Sequence, residues 1–264
     1  MKKIAGLLLL NIFILFSCKQ HKIVKNAVYC WNKRNSYNFF SDKDSKAIFK
    51  NDIRKIYCKM SDVVWNNEYH AEPTDMITLP INHTIASYAD IIPCMFFTNE
   101  VMIKSSKDEL DYMAIKIALK VNRDSLKEFQ VDCDWSEQSK DNYFYFIKSL
   151  KSNLNSNTIL SATIRLFQYK YPNKAGIPPA DRGMLMLYNF TNPKKYDGKN
   201  PIFEIEEAKK YINNTAYKLP LDFAIAHFKW NILYDIDNTF IGYINETDAE
   251  RLIQSSTANN NNSL

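Results

Sequence analysis

The stretch Phe129-Gln130-Val131-Asp132-Cys133-Asp134-Trp135-Ser136-Glu137 decides how the rest of the chain is read. An apolar approach through Phe129 and Val131 runs into two aspartates two positions apart, then a tryptophan and a polar helix start. Side chains at i and i+2 of a β-strand leave the same face, so Asp132 and Asp134 would stand about 6–7 Å apart along it. Val131 and Cys133 would face the other way, beneath covering helices. Two carboxylates at the end of a buried strand are costly unless water, a ligand or a partner compensates them. This pair is the strongest functional signal in the sequence.

Outward from it, strand-like runs recur at 27–31, 55–60, 90–98, 158–166, 183–189 and 221–228, with the central run at 128–134. Helix-compatible segments lie between them at 41–52, opened by Ser41 or Asp42 as N-cap, at 106–120, with Ser106 and Asp108 at its start, at 136–151, capped by Ser136, and at 203–213. Residues 63–79 read as an irregular loop that exposes Trp65, Asn66, Asn67 and Glu68. Nearly apolar strands alternating with helices indicate a parallel sheet covered on both sides. Seven or eight such units fit an α/β fold of the (β/α)8 TIM-barrel type, spanning 27–245, better than a doubly wound sheet. Its eighth strand is the weakest, because only the short runs 232–234 and 240–244 come after Trp230. Residues 246–264 read as a short helix and a disordered, Asn-rich tail.

Composition narrows the functions open to such a domain. With 264 residues, 46% apolar and 14% aromatic, the chain can build a sizeable core. Five glycines and no G-x-G-x-x-G or G-x-x-x-x-G-K-[ST] pattern argue against a phosphate-cradling loop. The formal charge of +5 falls to +3 once Lys2 and Lys3 are set aside, since 32 basic residues then face 29 acidic ones. That bias does not suggest nucleic acid. The four histidines (His21, His70, His83, His227) are scattered without ligand spacing, so neither a metal site nor a cofactor is expected.

The first residues read as an export signal. Met1-Lys2-Lys3 is a basic start, the apolar run from Ile4 to Phe16 is short for a membrane span, and Ser17-Cys18 comes next. Leu15-Phe16-Ser17-Cys18 resembles the bacterial lipobox. The expected arrangement is a signal peptide over 1–17, lipidation at Cys18, and a tether over 18–26 that holds the domain to a membrane of the cell envelope. Cys30, Cys58, Cys94 and Cys133 each sit in an apolar run and read as core thiols, with two disulfides as the alternative.

The runs 55–65, 129–135, 160–165, 177–189 and 219–230 together resemble an uncharacterised family of bacterial lipoproteins, over roughly residues 27–245. That resemblance implies a glycoside-hydrolase-like TIM barrel. A more distant similarity, to chitinase-like barrels, rests on their fourth-strand motif D-x-x-D-x-D-x-E. Aligning Asp132 and Asp134 with its last two aspartates puts Ser136 where those barrels carry the acid, and Glu137 one residue late.

Barrel sites lie at the C-terminal ends of the strands. This nominates Trp31, Asp62, Asp132, Asp134, Trp135, Arg165, Tyr188 and Trp230. Asp134 is the candidate general acid/base and Asp132 its orienting or charge-stabilising partner. Asp62 or Glu68 could supply a second carboxyl, the aromatics could stack on sugar rings, and Arg165 could pair with Asp134 or touch substrate. The expectation is a membrane-anchored, glycoside-hydrolase-like barrel that acts on or binds carbohydrate. The alternative is a non-catalytic lipoprotein that binds a glycan or protein through the same mouth.

Overall fold

The structure is a computed structural model that describes residues 25–31, 40–74, 83–212 and 217–261. The expected signal peptide, Cys18 and most of the tether lie outside the described residues. In chain order the strands are β1 (Asn26–Cys30), β2 (Ile53–Asn66), β3 (His70–Thr74), β4 (Asp90–Phe97) and β5 (Glu128–Cys133), then β6 (Ile159–Ile164), β7 (Arg182–Leu187), β8 (Leu221–Ile225), β9 (Asn231–Tyr234) and β10 (Phe240–Ile244). The helices are α1 (Asp42–Lys50), α2 (His83–Ala86), α3 (Asn99–Lys104), α4 (Lys107–Val121) and α5 (Lys140–Asn153), then α6 (Leu166–Lys170), α7 (Pro172–Ala175), α8 (Ile205–Ile212) and α9 (Glu246–Asn261).

Seven strands pair in parallel in the order β1-β2-β4-β5-β6-β7-β8, and they form a curled half-barrel with helices between strands. Among the described residues β1 and β8 are not paired with each other, so the sheet stays open. This is an incomplete (β/α)8 barrel. Where an eighth strand would close it, the chain forms instead an antiparallel β9–β10 hairpin in its own sheet. Local chemistry explains the hairpin: Asp235 Oδ1 accepts the N–H groups of Asp237 and Thr239 at 3.0 and 2.7 Å, and Asn238 takes a positive φ of 61°. Such a self-capped turn returns the chain before a strand can reach β8 or β1.

The alternation at the decisive strand is as its sequence requires. Phe129, Val131 and Cys133 are fully buried on the convex face. They share one core with Leu110, Ala114 and Ile117 of α4 and with Tyr143, Phe146, Ile147 and Leu150 of α5. Ser106 opens α4 with a reciprocal capping box to Glu109. Cys58, Cys94 and Cys133 are buried and Cys30 is partly buried, and none of these four is in a disulfide. Burial pushes the Cys58, Cys94 and Cys133 thiols up.

The concave face is filled at its lower end by polar pairs. Lys55 and Tyr57 both reach Glu128, at 2.7 and 3.1 Å, and Arg182 holds Asp222 at 2.8 Å. One layer higher, Tyr29 donates to Gln130 at 2.6 Å and Gln130 donates to Ser161 at 3.3 Å. These side chains occupy the concave face below the level of Asp132 and Asp134.

Three local expectations change. The loop expected at 63–79 is in part strand: β2 runs on to Asn66 and turns back as β3. Asn66 Oδ1 caps that turn by accepting the N–H groups of Glu68 and Tyr69, and His70 takes a φ of 61°. Ser136 is not the cap of α5, which begins at Lys140. The Asn-rich stretch expected to be disordered is helical to Asn261, because Asn245 caps α9 against Asp248 and each residue added to an existing helix costs little.

Candidate functional site

The upper layer of the concave face is set by strand register. Asp62 of β2 lies opposite Phe96 of β4, and Phe96 lies opposite Asp132 of β5. A bulge between Lys59 and Ser61 shifts the register, so Lys59 and Asp62, three positions apart, form an ion pair at 2.5 Å. The Lys59 ammonium also lies 5.6 Å from the Trp31 ring centroid and 5.9 Å from that of Phe96. Trp31, just beyond β1, stacks on Tyr29 at 5.2 Å and remains partly exposed.

Asp132 and Asp134 have different environments. Thr163 Oγ1 donates to Asp132 Oδ1 at 2.6 Å while accepting the Cys133 N–H at 3.3 Å. Burial raises the Asp132 carboxyl to about 6, and the neighbouring Asp134 charge adds to this. The Thr163 bond, Arg165 and Lys59 act in the opposite direction. Asp134 stands half exposed, and Arg165 Nη1 pairs with its Oδ2 at 2.7 Å. Arg165 itself comes just after β6, where its backbone N–H donates to Gln168 Oε1 at 2.7 Å and starts α6.

Asp132, Asp134 and Arg165 share a cleft of about 400 Å³ with Phe96, Phe167, Met186, Tyr188 and Tyr211. It lies at the C-terminal ends of β4 to β7, where barrel sites are built. Chemically it offers a carboxyl able to hold a proton near pH 6, a charged pair and several aromatic faces.

Other nominated residues lie elsewhere. Trp135 is 4% exposed, stacks on Tyr143 at 4.8 Å, and donates from Nε1 to the Ala175 carbonyl at 2.9 Å. It shares the parity of Val131 and Cys133, so alternation itself sends it to the helix side; it is a core residue and not a mouth residue. Glu68 sits exposed at the tip of the β2–β3 hairpin and does not line the cleft. Trp230 lines a second cleft with Tyr243 and reaches the first through Phe228. Ser136, at the position of the acid in chitinase-like barrels, is tied down: its N–H donates to Asn99 and Ser139, and its hydroxyl accepts from Asn99 at 3.2 Å. Among the described residues no group of three or more His, Cys, Asp or Glu could hold a metal ion.

Sequence reasoning misses Lys59, Phe96, Thr163, Phe167 and Tyr211. Strand alternation from Asp132 could have pointed to Phe96 and Thr163. The bulge hides Lys59, and helix placement decides Phe167 and Tyr211.

No family model matches the chain, and no curated protein sequence matches it significantly. Its fold is similar to solved structures at low identity. The chitinase domain of the spore coat protein CotE from Clostridium difficile shares 12% identity, with a TM-score of 0.52 over 92% of this chain and 86% of that one. The Bacillus cereus spore cortex-lytic enzyme SleL shares 14% identity, with a TM-score of 0.50 over 88% of this chain and 57% of that one. At such identities the likeness shows the fold.

Proposed function

We propose that this chain is a cell-envelope lipoprotein, anchored through Cys18, whose half-barrel mouth takes a carbohydrate. The observation that carries the reading is the cleft in which Asp132, Asp134 and Arg165 converge with Phe96, Phe167, Tyr188 and Tyr211. Carboxylates and a guanidinium hydrogen-bond hydroxyls, and aromatic faces accept the electropositive C–H face of a sugar ring. The structural neighbours, a chitinase domain and a cortex-lytic enzyme, support the same class of ligand.

A second reading, turnover, is favoured by one observation: burial holds the Asp132 carboxyl near pH 6, where it can still donate a proton. In that reading Asp132 is the acid, whereas Asp134, occupied by Arg165, positions the substrate. Asp62 lies two strands away, about 10 Å between Cα atoms at ~4.8 Å per strand, and supplies the second carboxyl.

A glycan array probed with residues 27–261, followed by titration of each hit against Tyr188→Ala and Asp134→Asn, tests the binding reading. Binding that both variants weaken supports it, and binding that neither changes removes the cleft from the reading. Release of reducing ends from a hit, abolished by Asp132→Asn, decides for turnover. A bound but intact hit decides for recognition alone.

A further inference from the structure

The parallel strands run from the end where β1 begins, at Asn26, to the end where Asp132 and Asp134 stand. Helices α1 and α4 run back the other way, so their last turns lie at the Asn26 end, opposite the cleft. Asn26 is fixed there, since its side-chain amide donates to the Asn51 carbonyl beyond α1 at 3.1 Å. Eight residue steps lead from Cys18 to Asn26, a reach of no more than ~29 Å. A lipid on Cys18 would therefore keep this end of the domain, and not the cleft, within that reach of a bilayer.

Lys50 ends α1, Lys120 sits in the last turn of α4, and Arg123 lies just beyond it. All three are exposed, and among the described residues none is in an ion pair. The nearby acids Asp52, Asp90 and Asp181 are already held by Arg54, Lys127 and Lys151, and Asp124 stands exposed beside Arg123. Cations at a helix C-terminus answer the helix dipole, which by itself would account for Lys50 and Lys120. It does not account for Leu119, 74% exposed one turn after Lys116, or for Phe49, 39% exposed beside Lys50. Isolated apolar side chains among cations suit a bilayer interface, where the first enter the acyl boundary and the second meet lipid phosphates. A second copy or a folded partner would need a contiguous apolar core to its interface, and here the cations interrupt it.

We propose that the Asn26 end of the half-barrel docks on an anionic membrane surface, with Leu119 and Phe49 entering the headgroup region and Lys50, Lys120 and Arg123 meeting lipid phosphates. Docking sets the orientation of the domain: the cleft, at the opposite end of the strands, points away from the bilayer. This rests on the anchor reading at Cys18 and adds to it a surface that a lipid anchor by itself does not require.

The test reconstitutes the lipidated full-length chain on vesicles of equal parts phosphatidylglycerol and phosphatidylcholine, or of phosphatidylcholine alone. An amine-acetylating reagent is added, and the reaction of each lysine is followed by mass spectrometry. Lys50, Lys116 and Lys120 should react at least about fivefold more slowly on the anionic vesicles. Lys107, ~20 Å away at the cleft end of α4, should react equally on both. About 1 M salt, where the screening length is ~3 Å, should remove the difference. Leu119→Asp combined with Arg123→Gln, both exposed positions, should bring the Lys120 rate close to that on phosphatidylcholine without lowering the melting temperature. Equal rates on the two vesicles, or protection that extends equally to Lys107, in protein that carries fatty acid and stays bound, overturns the docking and leaves the anchor standing. Protection that rises with protein concentration in detergent, without vesicles, assigns the surface to a second copy and also overturns it. A chain that carries no fatty acid and stays in solution overturns the anchor reading and the docking together.

Discussion

Thr163 Oγ1 lies 2.6 Å from Asp132 Oδ1 and fixes that carboxyl from the neighbouring strand. The same hydroxyl accepts the Cys133 N–H, so the backbone of β5 sets the direction in which it donates. Asp132 is thus held and half-buried, whereas Asp134, two residues on, reaches outward to Arg165. The two acids that look alike in the sequence are unlike in the fold, and each has its own consequence.

Asp132 should make stability fall as pH rises. Its ordinary value is 3.8 and its folded value about 6, so between them the native protein keeps a proton that the unfolded chain has released. The stabilisation is fully present below pH 3.8 and is lost as pH rises through about 6. The loss is on the order of 2–3 kcal/mol. Urea titrations from pH 3.5 to 7.5 should show this decline in wild type relative to Asp132→Asn. Parallel curves for the two proteins would contradict it.

Asp134 should matter little for stability. It and Arg165 are both about half exposed, and an exposed pair contributes no more than about 1 kcal/mol. Asp134→Asn is therefore expected to melt within a few degrees of wild type and to lose carbohydrate affinity. A melting temperature lowered by ten degrees or more would mean that the pair is structural.

Trp135 should behave in the opposite way. Trp135→Ala removes a buried ring stacked on Tyr143 and should cost about 3–5 kcal/mol. Trp135→Phe keeps the stack but leaves the Ala175 carbonyl without its donor, at about 1–3 kcal/mol. Ligand affinity of whatever remains folded should be unchanged in both. A stable Trp135→Ala with impaired binding would return this residue to the mouth.

The anchor is tested at Cys18. Cys18→Ala should abolish incorporation of labelled fatty acid and release the protein from membranes washed in high salt. Persistent labelling would exclude the lipobox at Leu15-Phe16-Ser17-Cys18.

Seven parallel strands were legible in the sequence because each is an apolar run bounded by polar residues, a signal that needs no knowledge of neighbours. The alternation of Val131, Asp132, Cys133 and Asp134 likewise assigns each side chain to a face by local geometry alone, and read strictly it also places Trp135 in the core. The segment beyond Trp230 is different: short runs such as 232–234 and 240–244 suit either a closing strand or a hairpin. The turn chemistry of Asp235 and Asn238 favours the hairpin, but pairing within it leaves β1 and β8 unjoined, an outcome no local pattern shows. The site has the same division. Residue types at 132 and 134 mark a place where charge is concentrated. Only the tertiary structure decided that burial keeps a proton on Asp132 up to about pH 6 while Thr163 holds the carboxyl in place, that Arg165 neutralises Asp134, and that a bulge brings Lys59 and Asp62 onto one face. The physical reason is range. Backbone alternation acts between adjacent residues, whereas desolvation and ion pairing depend on which strands lie side by side.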